Sequence, residues 1–346
     1  MSEIALILYG RKAPHDQIIE GRDRLAADFR ARGLDLAIAI TDDPPLANIQ
    51  PNVSVAGKPL YHSGGDLAAA THFRPGSLAE ASVVYDRWSE NYNRVGPGNQ
   101  ATGIGIESPV NHYSVQNLGR DKRAMGELVL GPLGIGIPTY SSDEAHQFLS
   151  QHPGKKVFAK PNNGSLGEGA RPIDDVAALS GIDEGDILQE FCDTTGRLPF
   201  LRPYTAADRE ALATVNRDGL EKETRMYTFF SSCADGRVHK DFWPILRTRL
   251  PHGGKIARDS IMRTRIDPES VPAQYYSLAE ACGDKIMQLT GARHLYIATD
   301  LGQGVTQLGQ EKVIAVETNS RFPGLWEHAS GAREMFADQA VIIAGG

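Results

Sequence analysis

Apolar positions open the chain in the order of a parallel layer. Residues 3–10, EIALILYG, are a continuous hydrophobic run of strand length, residues 16–33 place apolar positions three and four apart and end on a glycine, and residues 34–41, LDLAIAIT, form a second buried run. This pattern predicts β-α-β, the start of a parallel α/β sheet. ASVVYDRW, residues 81–88, predicts a further strand that ends on Asp86 and Arg87, where a parallel sheet presents ligand-facing groups. Residues 42–76, rich in Pro, Gly and Asn, support no assignment, and GPGNQATGIG followed by SPVNHY predicts a loop and a domain edge around 97–113. Residues 114–134 predict one helix with its basic residues near the start.

Past that helix the period shortens to two. KVFAK (156–160), GDILQEFCD (185–193), KETRMYTFFSS (222–232), HLYIATDLGQG (294–304) and KVIAVETNS (312–320) read as strands, and no internal repeat or low-complexity tract interrupts them.

Composition narrows the class. At 346 residues the chain exceeds one ordinary core and suits two or three packed units; 41% hydrophobic and 23% charged residues describe a globular protein. With 36 basic against 43 acidic residues, a net charge of -7 excludes a phosphate-tracking surface, so no nucleic-acid partner is expected. No run approaches the roughly 20 apolar residues of a membrane helix, so no membrane partner is expected either. The first apolar run follows an acidic residue and lacks a small-residue cleavage site, so it reads as a strand and not a leader. Cys192, Cys233 and Cys282 stand far apart without a CxxC, which points to a reducing cytoplasm and away from a disulfide frame or a zinc site.

Candidate chemistry gathers at strand ends. KVFAK delivers Lys160 into NNGSLGEG, a loop whose main-chain amides can approach phosphate oxygens while the lysine supplies a fixed charge. Taken alone, the same residues also suit an ordinary turn beside an exposed lysine. The loop has neither the GK[ST] ending of a P-loop nor the context of a dinucleotide-binding fold. Asp300 ends one strand; Glu317 and Asn319 end the next, and being two apart they share a face. Three hard oxygen ligands near a phosphate loop are what magnesium with bound phosphates requires, although each taken singly also suits a solvated strand end. Residues 242–267 carry several arginines whose forks suit carboxylates, and Arg247, Arg249 and Arg258 are the substrate candidates; others suit surface pairs with Asp259, Asp267 and Glu269. His239, His252, His294 and His328 show no ligand spacing.

In order along the chain, NLGRDK, FAKPNNGSLGEG, ILQEF, ETR, ATD and VETNSRFPG resemble the ATP-grasp superfamily over residues 115 to 325. The preceding layer is similar to the domain that comes before the grasp. The resemblance implies an α/β chain of α+β grasp type. Its parts would be a parallel α/β domain over 1–115, a lid subdomain over 116–190 and a C-terminal subdomain over 191–346, with nucleotide between the last two. It further implies that Lys122 and Lys160 hold nucleotide phosphates, that Gly164, Ser165, Gly167 and Gly169 form a lid over them, and that Gln189, Glu190, Phe191 and Cys192 form the hinge at the adenine edge. Arg225 would steady the transferred phosphoryl group together with Lys160, and Asp300, Glu317 and Asn319 would hold magnesium, with manganese as an alternative.

The activity so implied is ATP-dependent joining of a carboxylate and an amine through an acyl phosphate, on amino-acid or short-peptide substrates. A kinase built on the same grasp, or a nucleotide-binding protein without turnover, are the alternatives. Family members are often homodimers. Two departures stand out: the interval LGQGVTQLGQEK (301–312) is long and predicts an extended hairpin, and NSRFPG carries one residue more than usual, which brings Arg321 toward the acceptor pocket.

Overall fold

The computed structural model describes residues 3–10, 24–25, 27–41, 60–62, 81–86, 109–162, 170–196, 198, 200–249, 262–319 and 330–345. Its first sheet combines β1 (Glu3–Gly10), β2 (Leu34–Thr41), β3 (Leu60–His62) and β4 (Ala81–Asp86) in the order β3-β2-β1-β4. β1 runs parallel to β2 and β4, and β3 is an antiparallel edge. Leu34 and Leu36 of β2 and Val83 and Tyr85 of β4 are buried in one cluster. Of the expected helix over 16–33, residues 24, 25 and 27–30 are described and helical; Leu25 and Phe29, four apart on one face, are fully buried.

The single helix expected over 114–134 is broken. It splits into α1 (Tyr113–Arg120), α2 (Lys122–Met125) and a π-helical turn over Gly126–Leu130. The break falls at Asp121, whose backbone is extended (φ -89, ψ 95) and whose carboxylate accepts the Ala124 N–H at 2.9 Å. A short acidic side chain competes with the helical main chain for that donor and favours a cap over a helix interior. Lys122 therefore stands at the first position of a new helix.

A second sheet, β5 (Thr139–Tyr140), β6 (Val157–Pro161), β7 (Arg171–Ile173) and β8 (Asp186–Glu190), has the order β5-β8-β6-β7. α3 (Ser142–Gln151) starts at a capping box between Ser141 and Glu144 and seals this sheet with Phe148 and Leu149 against Val157, Ala159 and Leu188.

The largest sheet contains β9 (Cys192–Asp193), β10 (Glu221–Ser232), β11 (Val238–Arg249), β12 (Met262–Arg265), β13 (His294–Thr306) and β14 (Glu311–Asn319), in the order β12-β11-β10-β13-β14 with β9 beside β13. α4 (Asp208–Val215) lies near β12, α5 (Ala273–Thr290) covers one face and α6 (Ser330–Gly345) the other. Strand alternation sorts the two faces. Met226, Phe230, Leu246, Ile297 and Leu301 bury against Tyr275, Ala279, Cys282 and Ile286 of α5, whereas Tyr227, Phe229, Ile245 and Tyr296 bury against Phe336 of α6 and Val83 and Tyr85 of β4.

Asn111 joins the first sheet to the third. Val110 donates to Val84 O at 2.8 Å, and the Asn111 amide donates to Tyr296 O at 2.6 Å and accepts from Tyr296 N at 2.7 Å. Asn111 is fully buried with φ at 57°, a left-handed backbone that asparagine tolerates better than most residues. SPVNHY, expected as a loop at a domain edge, thus carries a bidentate clamp.

Candidate active site

Four charged side chains are buried together on the α6-side face of the large sheet, where β10, β11 and β13 run side by side. Arg225 pairs across the strands with Asp300, and Glu223 with Arg247, so alternation brings all four to one face. Arg225 grips Asp300 with two hydrogen bonds, Nε to Oδ1 at 2.6 Å and Nη2 to Oδ2 at 2.7 Å. Arg247 Nη1 donates to the same Asp300 Oδ2 and lies 3.0 Å from Glu223 Oε1. Two carboxylates thus face two guanidiniums and the cluster is neutral. Burial alone would raise the Asp300 carboxyl, but Arg225 and Arg247 outweigh it and hold it below the ordinary carboxylate range. Burial likewise works against the Arg225 charge, and Asp300 overcomes it. The Nε of Arg247 is buried without a hydrogen-bond partner.

Beside this cluster stand Glu317 and Asn319. Asp300 is the register partner of Glu317, and Ala298 of Asn319, so both side chains share the Asp300 face. Glu317 is exposed; Asn319 is half-buried, with an amide Nδ2 that is buried and lacks a partner. The register slips once, because Leu301 pairs with Ala315 while Asp300 pairs with Glu317, leaving Val316 as the extra residue of a β-bulge.

Lys122 reaches the end of β6, the strand that carries Lys160. Lys122 Nζ donates to Pro161 O at 2.9 Å, one residue beyond Lys160. Asn162 fixes this meeting: its Oδ1 accepts the Arg123 N–H at 2.9 Å and its Nδ2 donates to Asp121 at 3.0 Å. Gly164, Ser165, Gly167 and Gly169 lie outside the described residues, as does Arg258; Arg249 is described in its backbone only, ending β11.

The expected hinge crosses between two sheets. Gln189 is bonded into the second sheet on both sides, facing Thr139 and Phe158. After Phe191, Cys192 and Asp193 pair with Thr306 and Val305 of β13 in the large sheet. What reads as one strand over 185–193 is therefore two, parted at Phe191. Burial pushes the Cys192 thiol up to about 11, with Glu190 adding to the effect. The interval 301–312 is the extended hairpin that its length predicts, its turn at Gln307–Gln310.

No family model matches the chain, and no curated protein matches it by sequence. Solved structures do match its shape. D-alanyl-alanine synthetase A from Vibrio cholerae, 10% identical, aligns over 100% of this chain and 98% of its own with a TM-score of 0.52. VanG D-Ala:D-Ser ligase from Enterococcus faecalis, 12% identical, aligns over 99% and 98% with a TM-score of 0.55. The chain has the ATP-grasp fold. The macrocyclase MdnC from Microcystis aeruginosa, solved with its precursor peptide MdnA, is similar over 98% of both chains at 14% identity and a TM-score of 0.51.

The donor set carried on this fold fits a hard divalent cation. A carboxylate offers about four lone-pair sites; guanidinium donors occupy one on Asp300 Oδ1 and two on Oδ2, which leaves Oδ1 one for coordination. Among the described residues no three His, Cys, Asp or Glu side chains gather as a metal cluster. One or two carboxylates completed by substrate phosphates is how magnesium is commonly held, so a sparse set is in keeping with that ion. His294, by contrast, is buried and lowered to about 4 by that burial, and stays neutral in the core. Glu223 stands two residues before Arg225 in the ETR motif, on the same strand face, with no role assigned to it by the sequence. Lys222, 1% exposed, is buried away from this face and donates to Thr195 O and Leu220 O, each at 3.0 Å.

Proposed function

We propose that the chain is an ATP- and magnesium-dependent ligase that joins a carboxylate to an amine through an acyl phosphate and releases ADP and phosphate. The observation that carries this reading is the buried Arg225–Asp300–Arg247 network with Glu317 and Asn319 beside it, on a fold shared with D-alanyl-alanine synthetase A and VanG D-Ala:D-Ser ligase. Nucleotide would lie between the second and third sheets, that is between the units at 116–190 and 191–346, with its base at Gln189–Cys192 and its phosphates near Lys122 and Lys160. Asp300, Glu317 and Asn319 would hold magnesium, which neutralises phosphate charge when bound.

Each side chain then has a physical task. Lys122, from the start of α2, and Lys160, from the end of β6, bring positive charge to the triphosphate. Arg225, locked by Asp300, offers a preorganised charge to the group in transfer at no cost of reorganisation. A carboxylate oxygen attacks the terminal phosphorus, the bond to the bridging oxygen of ADP breaks, and the resulting acyl phosphate is opened by an amine with loss of phosphate. The sheets serve to hold the reactants together and exclude water, which would otherwise hydrolyse the acyl phosphate. Arg249 and Arg258 are the proposed partners of a substrate carboxylate, since arginine forks suit that group, while Arg247 is engaged with Asp300 and Glu223. Amino acids or short peptides are the substrate class. The three cysteines are free thiols, which suits a reducing cytoplasm.

The test is ADP release with magnesium and ATP against pooled amino acids and small carboxylates, followed by mass analysis. Release that requires both a carboxylate and an amine, with a product lighter than their sum by one water, is the expected result. A product heavier by one phosphate with no amine requirement would make the chain a kinase and overturn the amide chemistry.

A further inference from the structure

We propose that Gln307, at the tip of the β13–β14 hairpin, forms a latch with Glu190 that positions the base end of the nucleotide site. The proposal rests on the nucleotide reading above. The long interval 301–312 has no task in that reading, yet its turn reaches the second sheet. Gln307 N–H donates to Glu190 Oε1 at 3.0 Å, and Gln307 Oε1 accepts the Lys156 N–H at 3.1 Å. The turn thereby touches two strands at once, β8 through Glu190 and the start of β6 through Lys156. Glu190 is 7% exposed, so the carboxylate expected at the adenine edge spends one oxygen on the hairpin.

The segment after the latch is fixed along β13. Cys192 and Asp193 pair with Thr306 and Val305, occupying the edge that β10 leaves once its pairing ends at Thr224–Leu301. Lys222 holds the next two residues, its N–H donating to Thr194 O and its Nζ to Thr195 O, both at 3.0 Å. Gly302 permits this approach, since a Cβ there would meet Thr194 Cγ2 and Lys222 O at 3.2 Å. One strand therefore carries the metal-side carboxylate at Asp300 and the hinge pairing at Val305. Five residue steps separate them, about 16 Å at a strand rise of about 3.3 Å per residue. β13 acts as a spacer between base and phosphates, and the Gln307–Glu190 latch sets its far end. Gln307 and Glu190 are positioning residues in this scheme.

Fragments of the nucleotide separate the two ends. Binding of adenosine, inorganic tripolyphosphate and magnesium-ATP is measured by calorimetry for the parent, Glu190→Ala, Glu190→Gln and Gln307→Ala. Glu190→Ala should weaken adenosine and ATP about tenfold, the worth of one charge-assisted hydrogen bond, and leave tripolyphosphate unchanged. Glu190→Gln, which keeps an acceptor oxygen, should recover most of that loss. Gln307→Ala sits in an exposed turn and keeps its main-chain N–H, so it should fold normally and show the same pattern about threefold. Equal weakening of adenosine and tripolyphosphate would mean general loosening and overturn the latch. So would parent-like adenosine affinity in Glu190→Ala, with ATP binding by the parent left standing. A parent that binds no ATP would overturn the nucleotide reading and the latch together.

Discussion

Replacing Asp300 by Asn should cost both stability and turnover, and the two losses have separable origins. Asp300 is 1% exposed and accepts three guanidinium hydrogen bonds, two from Arg225 and one from Arg247. Asparagine keeps one acceptor oxygen and turns an amide toward the second, so at least one donor loses its partner and a buried positive charge is left uncompensated. Breaking one side of a buried pair costs about 3–5 kcal/mol, well above the cost of most single substitutions. Chemical denaturation at pH 7 should show a loss of that size. The pH dependence has a definite sign. Asp300 has its folded value below the ordinary one, so its contribution is full above the unfolded value near 4 and is lost as pH falls through the lower folded value. The difference between Asp300→Asn and the parent should therefore stay flat from about pH 8 to pH 5 and shrink only below about 4. Glu317→Gln is the control, because Glu317 is exposed: stability should stay within about 0.5 kcal/mol while ADP release is lost. An Asp300→Asn protein as stable as the parent would refute the network argument, and full turnover in Glu317→Gln would refute the metal assignment.

Three further outcomes follow from other parts of the molecule. Lys160→Ala should weaken ATP binding strongly and leave adenosine binding alone; unchanged ATP affinity would remove the lysine from the phosphate site. Gly283→Ala on α5 should destabilise by about 1–3 kcal/mol, because a Cβ there would stand 2.4 Å from the fully buried Phe230 ring, and the helix-propensity gain of about 1 kcal/mol does not offset overpacking; a melting rise would refute this. Cys192, its thiol raised to about 11, should alkylate slowly at pH 8 and faster by about tenfold per unit up to pH 10, and a rate that is already flat at pH 8 would show a thiolate that the burial does not allow.

The sheets were more legible than their connections. β1, β2 and the end of β14 at Asn319 could be read because continuous apolar runs and period-two alternation report burial directly, whereas Asp300, expected to end its strand, lies inside β13, which continues to Thr306 as one arm of the long hairpin. Asp121 was not readable as a helix break, since its capping preference competes with a periodic pattern that runs straight through it. Nor was the split at Phe191, where one apolar run serves two sheets in turn. α5 is written in the sequence, since Tyr275, Ala279, Cys282 and Ile286 are buried and follow helical spacing. Pairing partners were out of reach of spacing altogether. That Arg225 meets Asp300, 75 residues away, and that Gln307 meets Glu190, are tertiary facts.

The bulge at Val316 explains how one strand serves both a core and a charged site. By parity alone Val313, Ala315, Glu317 and Asn319 share one face, yet Val313 and Ala315 are packed with Leu301 against the α5 layer. Without the extra residue, Asp300 would pair with Val316, and Glu317 would pair with Thr299 and enter that apolar layer, where an unpaired carboxylate is costly. One inserted position reverses the face between Ala315 and Glu317, so the apolar half of β14 stays buried while its polar end joins Asp300. A change from apolar to polar residues at constant parity is thus a sequence signature of the bulge. It also accounts for the opposite environments of two carboxylates paired across the strands, with Asp300 locked by arginines and Glu317 exposed.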